Sequence, residues 1–282
     1  MMTKKLALFT AAAVAAVAAP AAAQDETGRM PFDGVYVGVS GGYDVQNNNP
    51  NASIVFDRNN DGSFTDTVST AAGANAFSPG FCDGQAVAAA RGSAGCANDR
   101  DGWSYYGRVG VDKQMGAFVI GLVGEFGKTE IRDYTSGFST TPANYVFERS
   151  IDWEASAGLR AGLAADQTLF YGVGKFGYAR IDHRFSTTNT ANSFTTTADD
   201  RDRKGYIVGG GIEQRIGRAL SIGLEYSYHN YKDDDYNIFV GQGTAPATNP
   251  FVLAPNTAGT NLRRSDDRFR WHSLRATVGL RF

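Results

Sequence analysis

The last nine residues of the chain, 274–282, alternate between apolar and polar side chains. Successive side chains of a β-strand point to opposite faces, so this segment has one apolar face and one small or charged face. The apolar face consists of Leu274, Ala276, Val278, Leu280 and Phe282, and the other face consists of Arg275, Thr277, Gly279 and Arg281. The same two-residue period recurs along the chain. The fold must therefore place one face of many strands in an apolar environment.

Seven further segments show this period and predict seven more strands. They cover residues 35–43, 103–111, 118–126, 151–163, 170–180, 206–216 and 220–229. The predicted apolar face of the fourth segment carries Ile151, Trp153, Leu159 and Leu163. The fifth segment has apolar residues on both faces, so its charge decides the register. Turning Lys175 inward sends Phe170, Phe176 and Tyr178 outward and avoids a lysine at the bilayer midplane, which costs ~2–4 kcal/mol.

The connections between these segments alternate in length. Short turns are predicted at 112–116, 164–167 and 217–219, and long polar stretches at 44–101, 128–150, 181–203 and 232–267. Outer-membrane barrels have short periplasmic turns and long external loops. A secreted β-sandwich is the rival fold, but it has no reason to sort its connections by length. The sequence thus predicts an all-β fold: a closed antiparallel transmembrane β-barrel of eight strands, with both termini in the periplasm.

Residues 1–23 have the features of a cleaved signal peptide. These features are Lys4 and Lys5, the apolar run at 6–17 and the alanines at 21–23. A membrane helix is the competing interpretation, but Pro20 and the small residues interrupt the run near the ~20 apolar residues that a span needs. We expect the mature chain to start at Gln24 and residues 24–282 to form one barrel domain in the outer membrane of a Gram-negative cell.

Three stretches combine glycine, aromatic and β-branched residues on alternating faces. They are Tyr36-Val37-Gly38-Val39-Ser40-Gly41-Gly42-Tyr43, Leu224-Glu225-Tyr226-Ser227-Tyr228 and Ala276-Thr277-Val278-Gly279-Leu280-Arg281-Phe282. With them the chain resembles the small eight-stranded outer-membrane barrels, the family that includes the OmpA transmembrane domain and opacity-type surface proteins. The resemblance implies a structural and surface-interaction protein that presents four external loops. Its implied partners are outer-membrane lipid and the barrel-assembly machinery, for which Phe282 is the assembly-type terminus.

Two departures from that family limit what the resemblance implies. The first external loop, at 44–101, is long for the family. We also expect no peptidoglycan-binding domain after the barrel, in contrast to OmpA itself. Tethering to the cell wall is therefore not implied.

Charge and cysteine content restrict the partners further. The chain has 27 Lys and Arg against 29 Asp and Glu, and loss of Lys4 and Lys5 with the signal peptide increases the acidic excess. We therefore expect no nucleic-acid partner. The two cysteines, Cys82 and Cys96, lie in one Gly/Ala/Asp-rich segment, and export places them where disulfides persist. A loop disulfide is predicted; a metal-binding pair is the alternative, which the lack of a nearby histidine disfavours.

Charged residues fall on the faces that we expect to line the lumen. The predicted set is Arg108, Glu125, Glu154, Arg160, Lys175, Glu213, Glu225 and Arg275. An eight-stranded barrel has an interior just wide enough for side chains to fill, and unpaired charges are very unfavourable there. We therefore predict a network of ion pairs that plugs the lumen. Catalysis by paired carboxylates is the alternative, but neither a nucleophile nor a cleft is evident, and the three scattered histidines, His183, His229 and His272, predict no triad or metal cluster.

The first long loop contains a motif that resembles the opening of a calcium loop, D-x-N-x-D-G. Its oxygen-bearing residues are Asp57, Asn59, Asp61, Ser63 and Asp66. The motif is incomplete because Val68 occupies the position of the bidentate Glu, although Asp66 lies close by. Turn chemistry alone also produces such strings. The sequence predicts no required cofactor, with weak external calcium binding as the alternative.

Aromatic residues also lie in the long polar stretches. They are Phe81, Phe138, Tyr145, Phe147, Phe185, Phe194, Tyr236, Phe239 and Phe251. We interpret them as parts of strands that extend above the bilayer, where they pack with one another or lie at lipid headgroups; an extracellular ligand or surface is the alternative contact. The resulting hypothesis is a scaffolding barrel and not an enzyme. A small porin-like diffusion channel is the alternative, and no reactive constellation supports a barrel enzyme.

Overall fold

A computed structural model describes residues 30–47, 49, 51–92 and 95–282. Its strands are β1 (Gly34–Val45), β2 (Ile54–Asp57), β3 (Gly80–Asp83), β4 (Gln85–Ala86), β5 (Cys96–Ala97), β6 (Gly102–Met115), β7 (Phe118–Thr129), β8 (Arg132–Ser139), β9 (Ala143–Ala165), β10 (Thr168–Thr187), β11 (Ser193–Asp199), β12 (Asp202–Ile216), β13 (Leu220–Lys232), β14 (Tyr236–Gly241), β15 (Thr260–Arg264) and β16 (Arg268–Arg281). A single 3₁₀ turn at Pro250–Val252 accompanies them in the described part of the chain. The predicted signal peptide lies outside the described residues, so its cleavage stays a prediction. Within the described ranges no helix has the length and apolar character of a membrane span.

Eight of these strands close into one antiparallel barrel. Their order around the barrel is β1, β6, β7, β9, β10, β12, β13 and β16. The last strand pairs again with the first, from Tyr36 opposite Arg281 to Val45 opposite His272. Closure leaves the barrel without a free edge, and hydrocarbon requires this because no water is present there to satisfy an open strand. The predicted fold class is confirmed.

The apolar face of each barrel strand points away from the lumen. Val39, Leu224 and Leu274 are each more than half exposed. In β10, Lys175 is 3 % exposed whereas Phe176 is 59 % exposed, so the register chosen from the lysine charge is right. Side chains that would be shielded in a soluble sandwich instead form the outer surface of the barrel, where lipid is their solvent.

Outward-facing aromatic residues form a belt at the end of the barrel that bears the long loops. The belt consists of Tyr43, Trp103, Tyr105, Phe126, Trp153, Tyr178, Tyr206, Tyr226 and Tyr228. Neighbouring rings touch across strands: the centroids of Tyr43 and Trp103 are 5.4 Å apart, and those of Trp153 and Tyr178 are 5.7 Å apart. Phe118, Phe170 and Phe282 lie exposed at the opposite end. Such belts mark the two membrane–water interfaces.

A β-bulge in β9 changes the direction of one side chain that the alternation placed outward. Arg180 of β10 is opposite Trp153, but the next residue, Ile181, is opposite Ile151, so Asp152 has no cross-strand partner. An extra residue of this kind reverses the alternation beyond it. Ile151 is consequently 2 % exposed and faces inward. Its predicted outward position is wrong, because a bulge leaves no signal in a two-residue period.

The connections at one end are tight turns. β6 and β7 are joined through Gly116 and Ala117, and β9 and β10 through Asp166 and Gln167. Gly116 has φ +62° and Asp166 has φ +50°, the left-handed backbone that two-residue hairpins need. The turn predicted at 112–116 is shorter than expected: Asp112 belongs to β6 and points into the lumen.

The long connections at the other end fold into one unit, which we call the external domain. It comprises β2–β5, β8, β11, β14 and β15, together with the loop-end parts of β9 and β10. β11, β14, β15 and β2 form a separate four-stranded sheet, and β8 extends the barrel sheet by pairing with the outer part of β9. Its core draws on all four long connections. The buried members of this core are Ile54, Phe56, Val68, Ala76, Phe77, Ala143, Tyr145, Phe147, Ile238, Val240, Phe251 and Leu262.

Candidate functional site: a filled lumen beneath an external domain

The lumen at the end with the tight turns is filled by two arginines and two carboxylates. Arg160 donates to Asp112 through two nitrogens, at 3.0 and 2.6 Å, and to Glu213 at 2.8 Å. Arg281 pairs with Asp112 at 2.7 Å and with Glu213 at 3.4 Å. The guanidinium carbons of both arginines lie over the ring of Tyr36, at 4.9 and 4.7 Å. Planar guanidinium groups thus satisfy both carboxylates and stack on an aromatic face.

The middle of the lumen contains three cations around two glutamates. Arg108 lies 3.1 Å from Glu125 and 2.8 Å from Glu225. Lys175 contacts Glu125 and lies 3.6 Å from Glu225, and Arg275 lies 3.8 Å from Glu125. All five side chains are at most 5 % exposed. Each charge therefore has an opposite charge within reach, which buried ions require.

The third charged layer is centred on Glu154. Its carboxylate bonds to His229 Nδ1 at 2.8 Å and accepts hydrogen bonds from the hydroxyls of Tyr106 and Tyr231. The ring of His229 stacks on that of Trp271, with centroids 4.7 Å apart. A carboxylate with three hydrogen-bonding partners is satisfied without water, as a buried carboxylate requires.

Ser227, His229 and Glu154 have the connectivity of a serine–histidine–acid triad. Ser227 Oγ lies 3.0 Å from His229 Nε2, and His229 Nδ1 bonds to Glu154. Arg275 donates to Ser227 Oγ at 2.9 Å and lies 2.8 Å from His229 Nε2, so a cation occupies the space that a substrate carbonyl would need. Ser227 and His229 are fully buried. The arrangement therefore has the bonding of a triad, but its nucleophile and its base are both buried inside the lumen.

An apolar layer lies above the charged layers, towards the external domain. Its buried residues are Ile131, Ile151, Ala179, Ile181, Tyr231, Phe269 and Trp271. The bulge at Asp152 supplies this layer with Ile151, and the inward faces of β10, β13 and β16 supply most of the rest. An apolar layer opposes the passage of ions, because an ion that crosses it loses its hydration without gaining a partner.

Arg149 joins the barrel rim to the external domain. Its guanidinium pairs with Asp133 at 2.7 Å, Asp233 at 3.1 Å and Asp266 at 3.5 Å, which lie in three different parts of the chain. These carboxylates raise the pKa of Arg149 although its burial alone would lower it. Arg264 adds a second cation on Asp133. The cluster fixes the orientation of two connections, the second and the fourth, with respect to β9.

His183 makes a second rim contact of this kind. Its Nδ1 lies 2.8 Å from Asp199 and its Nε2 lies 2.9 Å from Asp233. The ring stacks on Tyr236, with centroids 4.7 Å apart, and Arg203 pairs with Asp233 at 3.0 Å. Burial of Asp233 favours its neutral form, but His183, Arg149 and Arg203 outweigh that effect and hold its pKa below the usual range.

Three carboxylates of the external domain come together beside the barrel rim. The oxygen atoms of Asp83, Asp99 and Asp133 lie within 4.8 Å of one another. Burial and the charge of Asp133 raise the pKa of Asp83 to about 6 and that of Asp99 to about 7. Burial would also raise the pKa of Asp133, but Arg149 and Arg264 together hold it below its usual range.

The structure brings together the eight lumen residues named from the sequence and adds others. Arg160 and Glu213 lie in the first charged layer, Glu154 in the third, and Arg108, Glu125, Lys175, Glu225 and Arg275 in the middle one. Sequence reasoning missed Asp112 and Asp44, which it assigned to a turn and a loop. Asp44 of β1 and Asp112 of β6 are buried and lie on the inward face of their strands, in phase with the two-residue period. Extending the predicted strands to these residues would have identified both. Arg149 and Asp233 gave no such signal, because their partners are distant in sequence.

The segment with the calcium-loop motif is a turn in which carboxylates accept backbone hydrogen bonds. The amides of Asp61 and Gly62 donate to Asp57 at 3.1 and 3.0 Å, and the amide of Arg58 donates to Asp66 at 2.7 Å. Asn59 and Asp61 likewise accept from amides two residues ahead, and Ser63 lies in the same turn. These bonds are ordinary Asx-turn chemistry. Calcium binding at this segment stays a prediction.

The predicted disulfide between Cys82 and Cys96 is present. Most of the loop aromatics pack with one another: Tyr145, Phe147 and Phe251 are core residues of the external domain, and Phe81, Phe185, Phe194 and Tyr236 pack against that core. Phe77 is central to it, with ring centroids 4.6 Å from Phe56, 5.1 Å from Tyr145 and 5.9 Å from Phe251. One residue thus links the first, second and fourth connections.

A closed barrel with a lipid-facing apolar surface, two aromatic belts and a filled lumen defines a membrane-spanning β-barrel protein. The chain belongs to the outer membrane protein β-barrel domain family, whose model matches residues 9–282. This membership confirms the resemblance to outer-membrane barrels and places the protein in the outer membrane.

The chain is similar to a 22 kDa outer membrane protein of Rhizobium leguminosarum bv. viciae, with 28 % identity over 146 residues. That match covers 51 % of this chain and 61 % of the relative, so the chain spans less than two thirds of the relative's length.

Solved barrels align over most of the chain at low identity. The outer membrane protein OprG of Pseudomonas aeruginosa covers 90 % of this chain, and 99 % of OprG is matched, at 11 % identity and a TM-score of 0.49. The attachment invasion locus protein Ail of Yersinia pestis covers 89 % of this chain, with 99 % of Ail matched, at 12 % identity and a TM-score of 0.34. The outer membrane protease OmpT of Escherichia coli covers 91 %, with 99 % of OmpT matched, at 9 % identity and a TM-score of 0.45.

Proposed function

We propose that the protein is a non-conducting, non-catalytic scaffold of the outer membrane whose external domain contacts extracellular ligands or surfaces. The observation that carries the proposal is the filling of the bore: three charged layers and one apolar layer follow one another between the tight turns and the external domain. The barrel anchors the external domain, and the rim pairs around Arg149 hold the two together.

Blockage follows from the contacts inside the lumen. A permeating ion has to separate pairs such as Arg108 and Glu225, whose atoms lie 2.8 Å apart, and then cross the apolar layer around Trp271. Breaking a buried ion pair leaves an uncompensated charge and costs about 3–5 kcal/mol. Several such steps in series oppose steady conduction. A porin-like diffusion channel is the alternative function.

Single-channel recording in planar bilayers distinguishes the two functions. We expect no steady openings from the wild-type chain, and brief openings from Glu225→Ala, which leaves Arg108 and Lys175 each with one partner fewer. Lys113→Ala is the matched control, because its side chain is 67 % exposed on the outside of the barrel. Steady openings of the wild-type protein would contradict the proposal and support the porin.

The role in surface contact requires a variant that disrupts the external domain and spares the barrel. Deletion of residues 44–101 is too severe, because it removes Phe56 and Phe77 from the shared core. Phe77→Ala is more selective. We compare cells that display the wild-type chain with cells that display Phe77→Ala. Attachment to immobilised polysaccharides and proteins should be lower for the variant, while heat-modifiable gel mobility shows that its barrel is intact. Equal attachment by cells that lack the protein would contradict a contact role.

A further inference from the structure

Asp83, Asp99 and Asp133 form a group of carboxylates in the external domain, and the rim contacts described above account for Asp133 alone. This group is distinct from the calcium-like turn at Asp57–Asp66. We propose that these three carboxylates, with the hydroxyl of Thr135, form a binding site for a hard divalent cation of the calcium type.

The three carboxylates converge from three segments of the chain. Asp83 ends β3, Asp99 follows β5, and Asp133 lies in β8, yet their oxygens are within 4.8 Å of one another. One oxygen of each half-buried carboxylate accepts a backbone amide: Asp83 from Asn49, and Asp99 from Tyr134 at 2.8 Å. The Cys82–Cys96 disulfide joins the residue that precedes Asp83 to the short strand that precedes Asp99. The ligands are therefore held in position before a cation binds.

Thr135 provides independent evidence for a ligand. It is directly opposite Asp83 in the β3–β8 ladder and two residues from Asp133 on the same strand. Cross-strand partners and residues two apart share a face, so the side chain of Thr135 lies on the same face of the sheet as Asp83 and Asp133. Thr135 is 1 % exposed, and its Oγ1 has no hydrogen-bond partner within the described part of the chain. A buried hydroxyl normally has a partner, and a cation would supply it.

The surroundings fit a hydrated cation that arrives from outside the cell. The carboxylates line a cavity of about 250 Å³ at the barrel rim, together with Asp266, Arg268 and His272. Arg149 and Arg264 pair with Asp133, so Asp83 and Asp99 are the carboxylates of the group that remain to bind the ion. Oxygen ligands with room for water suit Ca²⁺, and sites of moderate charge in extracellular modules bind it at about 10⁻⁴–10⁻³ M.

Calcium titration by calorimetry tests the site on the full chain, treated with EDTA and held in an uncharged detergent. We expect one site with a dissociation constant of about 10⁻⁴–10⁻³ M. Asp83→Asn/Asp99→Asn should abolish binding, and Thr135→Val, which keeps the volume and removes the hydroxyl, should weaken it about tenfold. A purely structural role of Thr135 would not produce this weaker calcium binding.

Asp61→Asn is the matched control, since it changes a carboxylate of the calcium-like turn and leaves the proposed site intact. It should bind calcium as the wild type does. Loss of binding in Asp61→Asn with retention in Asp83→Asn/Asp99→Asn would overturn the proposal in favour of the turn. The absence of binding heat up to 10-fold above the expected dissociation constant would overturn it outright, provided that heat-modifiable mobility shows folded barrels.

Discussion

Arg160 contacts two carboxylates and an aromatic ring in the lumen. Arg160→Met therefore tests how much the lumen contacts stabilise the barrel. The substitution keeps an unbranched side chain of similar length and removes the charge. It eliminates the two bonds to Asp112 and the one to Glu213, along with stacking on Tyr36. Removal of one partner from a buried pair costs about 3–5 kcal/mol.

The lower end of that range applies, because Arg281 continues to pair with both carboxylates, at 2.7 and 3.4 Å. We therefore expect a loss of about 3 kcal/mol in the free energy of unfolding. Lys113→Met is the control: its pair with Asp33 is on the surface, and such pairs contribute less than about 1 kcal/mol.

Reversible urea unfolding in lipid vesicles, followed by tryptophan fluorescence, measures both variants. Arg160→Met combined with Asp112→Asn should recover at least about 1 kcal/mol, because the second change removes a carboxylate that has lost a partner. A loss below about 1 kcal/mol for Arg160→Met, equal to the control, would refute the claim that ion pairs stabilise the filled lumen.

Three further predictions concern closure, the external core and catalysis. Gly42→Val should prevent barrel closure, because its Cβ would lie 2.0 Å from the carbonyl oxygen of a β16 residue, whereas Gly174→Ala, with open space around the added carbon, should fold; heat-modifiable mobility separates them. Phe77→Ala should destabilise the external core by about 3–5 kcal/mol and accelerate amide exchange in β14 but not in β13; equal acceleration in both strands would contradict an independent external core. Purified protein should not hydrolyse p-nitrophenyl esters, and hydrolysis that Ser227→Ala abolishes would show that the enclosed triad has access to substrate.

Layers of charged and apolar side chains fill the barrel between the tight turns and the external domain. Charged layers alone would admit water around their polar atoms, and apolar layers alone would lack directional contacts. The two kinds of layer together fill the bore, and the charged layers fix the register of the strands, because inward charges have their partners on other strands, as Arg108 of β6 has in Glu225 of β13. A scaffold that holds an external domain in one orientation requires this rigidity.

The external domain shows how polar sequence can conceal a core. Its stretches are rich in Asn, Asp, Ser, Thr and Gly and give no continuous period. The apolar residues that form the core are single side chains such as Val68, Phe77 and Phe251, separated by turns. None of them can bury its surface within its own connection. They become a core only because the closed barrel brings the four connections to the same end.

The barrel itself could be predicted from the sequence: the number of its strands, the lipid-facing side of most strand residues, the alternation of short and long connections and the inward position of charges such as Lys175 and Glu225. These properties follow from local alternation, because lipid imposes one solvent on every second residue. Other features depend on the three-dimensional fold. They are the pairing of Arg160 with Asp112 and of His229 with Glu154, the inward direction of Ile151 at a bulge, and the convergence of Asp83, Asp99 and Asp133. Their contacts join residues far apart in the chain, and strand order, bulges and loop packing set such distances without leaving a local pattern.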